Sequence, residues 1–187
     1  SSLAAVILAV VVPLAAGGPG DVLTRALAKK LALQTDESVI VDIYPRANTN
    51  VGTEFVAKAA AGGHKPIARL VAYAIAGVPN DVMGEGPIPS TKVALQKAGL
   101  TLDKIDVIES NEAFAVQSLT VAKALGFDPA KTNVNGGAIA LGHPVGATGA
   151  VIITKLLHEL IRVNGRYGIA TMCIGGGQGI TTIWERV

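Results

Sequence analysis

The chain has 187 residues, half of them hydrophobic and only 16% charged, with a formal net charge of +2. So apolar and weakly charged a composition excludes a disordered chain, and the length fits one compact domain or two small ones. The 16 basic and 14 acidic residues form no basic stripe interleaved with aromatics, which excludes a nucleic-acid footprint.

The chain opens on an uninterrupted apolar run, residues 3–16. It falls short of the roughly 18 residues of a membrane span and lacks the basic leader of a signal peptide, so no membrane partner is expected. Its β-branched core, residues 4–12, predicts a strand buried on both faces, closed by Pro13 and Gly17-Gly18. Asp21 is placed to cap a helix over residues 22–33, where Leu23, Leu27 and Leu31 lie one turn apart. Residues 38–43 predict a strand that Pro45 ends, and residues 53–61 a short helix that Gly62-Gly63 ends. A further strand is expected at 67–76, then a Gly/Pro-rich loop, then a helix that Ser90 caps and Gly99 stops. Residues 105–109 predict a strand, 111–125 a helix, and NVNGGAIALGHP a long loop. Residues 145–163 form the clearest helical pattern. Ile152, Ile153, Leu156, Leu157, Leu160 and Ile161 lie on one face, with Thr154, Lys155, His158, Glu159 and Arg162 on a solvated face. Residues 168–173 and 180–186 predict an antiparallel strand pair joined by GGGQG. The alternation of strands and helices, punctuated by glycine, predicts an α/β fold.

Three polar residues bracketed by glycine or strand ends carry the chemical signal: Asn111 in ESNEAFA, His143 in GGAIALGHPVGATG and Cys173 in MCIGGGQG. In open α/β sheets the carboxyl ends of strands line the ligand crevice, so these residues can converge. Gly142 and Pro144 bracket His143, and the N–H groups of Gly175, Gly176 and Gly177 are free to reach a carbonyl oxygen. A thiol, an imidazole and backbone donors together make an acyl-transfer constellation. Each also has a structural reading: a buried cysteine, a glycine turn, a helix-capping asparagine. His64 and His158 have only the structural one. Cysteine occurs once, which excludes an intrachain disulfide, a cysteine-rich metal site and any mechanism needing two thiols from this chain. A lone thiol fits a reducing compartment, the cytoplasm. No metal is expected.

From about Lys65 onward the chain resembles the C-terminal part of a thiolase (acetyl-CoA acyltransferase). The blocks KPIARLVAYAIAGV, GEGPIPSTKVALQKAGLTLDKIDVIESNEAFA, NVNGGAIALGHPVGATGA and YGIATMCIGGGQGITTIWERV carry the likeness, with Ser110 as a departure. The resemblance implies an acyltransferase that condenses acyl-CoA thioesters and cleaves 3-oxoacyl-CoA by thiolysis, with the coenzyme A thioester as substrate and no further cofactor. It implies that Asn111 holds a water and that this water and His143 form an oxyanion hole. His143 also activates a nucleophilic thiol, Cys173 moves the α-proton, and the Gly175 N–H serves a second oxyanion hole. Gly142 and Gly176 flank the substrate. The resemblance further implies a mixed five-stranded sheet in the order 3-2-1-4-5. The half that bears the nucleophile has no counterpart here, so residues 4–12 are expected to supply the central first strand. A homo-oligomer or a complementary N-terminal half is the implied partner.

The run VVVPLAAGGPGDVLTRALAKKLALQTDESVIVDIYPRANTNVGTEFVAKAA resembles instead the start of a tripartite tricarboxylate transporter solute-binding protein. There the Gly17-Gly18 turn would hold a ligand carboxylate at a helix N-terminus. The expected organisation is therefore a segment at 1–62 joined to a thiolase-like domain at 63–187. Beside the acyltransferase stand two alternatives: a catalytically inactive chimeric α/β domain, and a carboxylate-binding module.

Overall fold

In a computed structural model the described residues are 8–12, 39–43, 61–63 and 65–187. The chain divides into two units, Ser1–Lys65 and Pro66–Val187. In the first, β1 (Leu8–Val12) pairs in parallel with β2 (Val39–Ile43), from Leu8 opposite Val39 to Val12 opposite Ile43. Gly17, Gly18 and the helix expected at 22–33 lie outside the described residues, as does the helix expected at 53–61 except for Ala61.

The second unit runs β3 (Ala68–Gly77), a 3-10 turn (Asn80–Glu85), α1 (Pro87–Ala98), a short 3-10 turn (Leu102–Lys104), β4 (Val107–Ser110), α2 (Ala115–Leu125), α3 (Ala138–Leu141), α4 (Thr148–Arg162), β5 (Tyr167–Gly175) and β6 (Gln178–Arg186). Its sheet has four strands in the order β3-β6-β5-β4. The β3–β6 and β5–β6 pairs are antiparallel and β4–β5 is parallel.

This corrects the expected five strands in the order 3-2-1-4-5. The unit's first strand, β3, lies at an edge, because β6 folds back from the Gly175–Gly177 turn and takes the place between β3 and β5. The sheet thus has its own first strand, and residues 8–12 do not serve as its centre, since they pair with β2 in a two-stranded sheet. A fifth position survives only as one parallel bridge, Ile108 to Thr132. There the Ile108 N–H donates to the Lys131 carbonyl and the Asn133 N–H to the Ile108 carbonyl. Asn133 then turns into the left-handed region at φ +50 and the pairing stops.

The period of two along the strands sorts the core into two layers. Ile108, Ile169, Ile183 and Ala74 pack with Ala94 of α1 and Val121 of α2, while Val107 and Ala170 pack with Ile152, Leu156 and Leu160 of α4. A Cβ at Gly168 would stand 2.7 Å from Leu156 Cδ1, so glycine at that point lets α4 lie close on the sheet.

Two helix readings change. Helix α1 starts three residues before Ser90, with Gly86 as its cap and Pro87 in the first turn, where a missing N–H costs nothing. Ser90 is instead buried, its hydroxyl 2.8 Å from Thr181 Oγ1, within a cluster that also joins Thr91 and Thr171. On α4, His158 and Arg162 are exposed as expected, but Glu159 is buried and Lys155 is turned inward. Among the described residues no helix is long and apolar enough to cross a membrane.

Candidate functional site

The site forms at the carboxyl ends of β4 and β5. The Asn111 N–H donates to the Thr171 carbonyl at 2.9 Å, which carries the β4–β5 pairing one residue beyond β4. Asn111 therefore follows the strand in extended register, and α2 begins only at Ala115. Its side chain is buried, and Nδ2 lies 3.5 Å from His143 Nε2.

His143 stands in an exposed loop between α3 and α4. Gly142 before it adopts φ +99 and ψ 161, a conformation that side chains avoid, so the sharp entry to His143 requires glycine. His143 Nδ1 is 2.7 Å from Thr148 Oγ1, and that hydroxyl donates to the Pro144 carbonyl at 3.0 Å. With its one proton committed there, the hydroxyl accepts from Nδ1–H. The ring is thus held in the tautomer whose Nε2 carries a lone pair toward Asn111 Nδ2.

Cys173 lies two residues before the end of β5 and is half-buried. Burial pushes its thiol pKa up, so the group is neutral near pH 7 and its thiolate a comparatively strong base. Gly175, Gly176 and Gly177 have φ of +88, +59 and +74, three left-handed residues in succession that only glycine takes without strain. They expose the Gly175 and Gly176 backbone beside Cys173. His143, Cys173 and Gly175 line one pocket of about 420 Å³, closed on other sides by apolar Met83, Phe114 and Met172. Four expected residues thus converge: Asn111, His143, Cys173 and Gly175. Gly142 lines a smaller cavity behind Asn111.

Several supporting residues were not singled out by pattern. Glu112 accepts from Asn133 Nδ2 at 3.0 Å through one oxygen and from the Ile139 N–H at 3.0 Å through the other. Asn133 also bonds both ways to the Ser110 backbone, accepting at 2.9 Å and donating at 2.8 Å, so it acts as a strand neighbour for the end of β4. A Cβ at Gly137 would fall 2.1 Å from the Glu112 carboxyl carbon, which explains the second glycine of NVNGG. The sequence signal for Glu112 was its place beside Asn111. For Thr148 there was none, because its partner His143 becomes visible only once the helix start is placed.

Comparison with known proteins bears on this geometry. A model of the thiolase C-terminal domain matches residues 64–186. The chain is 62% identical over 131 residues to the beta-ketothiolase BktB of Cupriavidus necator, covering 70% of this chain and 33% of that protein. It is 50% identical over 166 residues to an acetyl-CoA acetyltransferase of Pseudomonas aeruginosa, covering 87% of this chain and 42% of that one, so the likeness reaches ahead of residue 64. Among solved structures, human mitochondrial 3-ketoacyl-CoA thiolase in complex with CoA is similar at a TM-score of 0.68 and 48% identity, covering 70% of this chain and 33% of that one. The acetyl-CoA acetyltransferase of Bacillus anthracis is similar at the same TM-score and 46% identity. The chain spans about a third of the length of most curated relatives it matches.

Proposed function

The chain belongs to the thiolase family, whose C-terminal domain it carries, and on that premise we propose that residues 66–187 form the proton-transfer and oxyanion-binding side of an acyl-CoA acyltransferase. The observation that carries this reading is the meeting of His143, Cys173 and Gly175 in one pocket, with Asn111 Nδ2 3.5 Å from the His143 ring.

The chemistry follows from the geometry. Carbon–carbon bond formation between thioesters starts with removal of an α-proton from acetyl-CoA. A thioester α-carbon is a weak acid, so it needs a strong base and donors aimed at the oxygen that gains charge. Cys173 first releases its thiol proton to water, and in the fraction present as thiolate Sγ takes the α-proton and returns to the thiol. The partial burial that raises its pKa also makes the thiolate more basic. A water held by Asn111 Nδ2, together with His143, receives the enolate oxygen. His143 Nε2 starts with a lone pair, so it first accepts a proton from a thiol nucleophile and then donates as imidazolium to the oxyanion. Thr148 keeps the proton on Nδ1 throughout and so fixes the order of those two roles. The Gly175 N–H, beside Cys173, serves the acyl group's own oxygen, and Gly142 and Gly176 give the substrate room.

The acyl-carrying thiol implied by the family has no counterpart in these 187 residues, whose one cysteine is Cys173. A complementary thiolase N-terminal half is the partner we assign for full turnover, with acyl-CoA as substrate and the cytoplasm as the place of work. The test uses the one step that needs no nucleophile. The chain in D2O with acetyl-CoA is expected to exchange the α-protons, read by mass spectrometry; Cys173→Ser should abolish the exchange, and His143→Ala, whose ring donates to the enolate oxygen here only after taking a proton from solvent, should slow it. Absence of exchange by the parent chain would favour the alternative of a catalytically inactive domain.

A further inference from the structure

Behind Asn111 the molecule holds a group of buried charges that the proposed chemistry does not use. Glu109 precedes Asn111 by two residues, so in extended register the two side chains share the face of β4 that α4 covers. Glu109 is only 1% exposed, and one of its oxygens, Oε2, accepts from Lys155 Nζ at 2.7 Å. Lys155 also donates to the Gly136 carbonyl. The other oxygen, Glu109 Oε1, is buried without a protein partner, and so is Asn111 Oδ1. Both residues line one small cavity, walled also by Gly142, Thr148, Ile152 and Lys155, with about 20 Å³ of room for the centre of a water-sized sphere.

We propose that one water molecule occupies this cavity, donating one hydrogen bond to Glu109 Oε1 and the other to Asn111 Oδ1, and that Glu109 and Lys155 are thereby positioning residues for Asn111. The volume admits one water, for which about 10–15 Å³ suffices. Both orphaned atoms are acceptors, so the occupant must supply two donors. Water does so without adding charge. A cation is disfavoured because the Lys155 ammonium already stands against the same carboxylate. The consequence lies at the other end of the amide. With Oδ1 held from behind, Asn111 presents Nδ2 to His143, the orientation the proton-transfer reading requires. Without the water the amide gains nothing from that orientation, since turning it over would place Nδ2 toward the free oxygen of Glu109.

The inference rests on the acyltransferase reading only for its functional part, and the experiment separates the two. A high-resolution crystal structure of the chain is expected to show one ordered water about 2.7–3.2 Å from both oxygens. An empty cavity, a water on one oxygen only, or Asn111 Nδ2 bonded directly to Glu109 overturns the proposal, whether or not the chain exchanges acetyl-CoA protons. For function, the double variant Glu109→Leu/Lys155→Met removes the carboxylate and its counter-charge together, leaving no buried unpaired ion. It should exchange acetyl-CoA α-protons more slowly by a factor of order 10 to 100. Its Cys173 should be alkylated by iodoacetamide at the parent's rate, a readout that general loosening of the fold would move. An exchange rate equal to the parent's overturns the positioning role. If the double variant fails to fold, the parent's crystal structure decides alone.

Discussion

The two walls of the pocket are built on opposite plans. The Asn111–His143 wall is held by side chains: Glu109 by Lys155, Glu112 by Asn133 and the Ile139 N–H, His143 by Thr148. The Cys173–Gly175 wall is held by backbone. Its residues sit where β5 turns into β6, and three positive-φ glycines aim the chain. A wall that presents side chains needs each of them locked in one rotamer, which costs a network of buried partners. A wall that presents backbone N–H groups needs only a strand pair and residues without Cβ. The first plan concentrates energy in a few polar pairs and the second spreads it along a hairpin, so substitutions should divide the two walls by size of effect.

The largest effect is expected for Lys155→Met. It leaves the Glu109 carboxylate buried without its counter-charge, which costs about 3–5 kcal/mol in chemical denaturation near neutral pH. The sign with pH is a second check. Burial raises the Glu109 pKa and Lys155 is what lowers it, so removing Lys155 raises it further. The folded variant then keeps its Glu109 proton to higher pH than the unfolded chain does. Stability relative to the parent is retained in acid, below the ordinary carboxylate range, and lost as pH rises through that range and beyond. A deficit that does not shrink toward pH 4 would show that the Glu109 charge is not what the wall depends on.

Next in size is Gly137→Ala. Its Cβ would meet the Glu112 carboxylate, which must leave Asn133 and Ile139, at an expected cost of about 1–3 kcal/mol. Double substitution with Glu112→Ala should cost less than the sum of the single changes, because the clash and the lost bonds are one event. The matching change on the other wall, Gly175→Ala, meets nothing within 4 Å and carries only the left-handed φ of +88. It should cost about 1–2 kcal/mol, with no partner whose removal relieves it. Equal coupling on both walls would erase the distinction drawn between them.

The same division explains what could be read from the sequence. Local patterns found β3 and the β5–β6 pair, the apolar stripe of α4 and, with the thiolase blocks, the four converging residues. They did so because strand period, helix period and glycine spacing are short-range. Sheet order is not: nothing along residues 68–77 says that β6, a hundred residues later, will pair with β3 and hold it at the edge. The partners of the side-chain wall were hidden for the same reason. By helical period alone Lys155 and Glu159 belong to a solvated face, and only the folded chain brings Glu109 against one and Asn135 against the other. Arg162 satisfies Glu159 from its own helix, at 2.6 and 2.8 Å, and with Asn135 it holds that carboxyl below the usual range.

The smallest predicted change separates the walls by chemistry instead of stability. Cys173 has no cation among the causes of its shift, and burial alone pushes its thiol up. Iodoacetamide should therefore label it with a midpoint above the ordinary thiol range, and slowly at pH 7, where the thiol keeps its proton. His143→Ala and Lys155→Met both alter the opposite wall, and neither should move that midpoint. A midpoint that fell below the ordinary range, or that rose when His143 was removed, would mean that the imidazole and the thiol already share a proton in the resting molecule. Cys173 would then be poised as a nucleophile and not as a base, and the two walls would be a single coupled site.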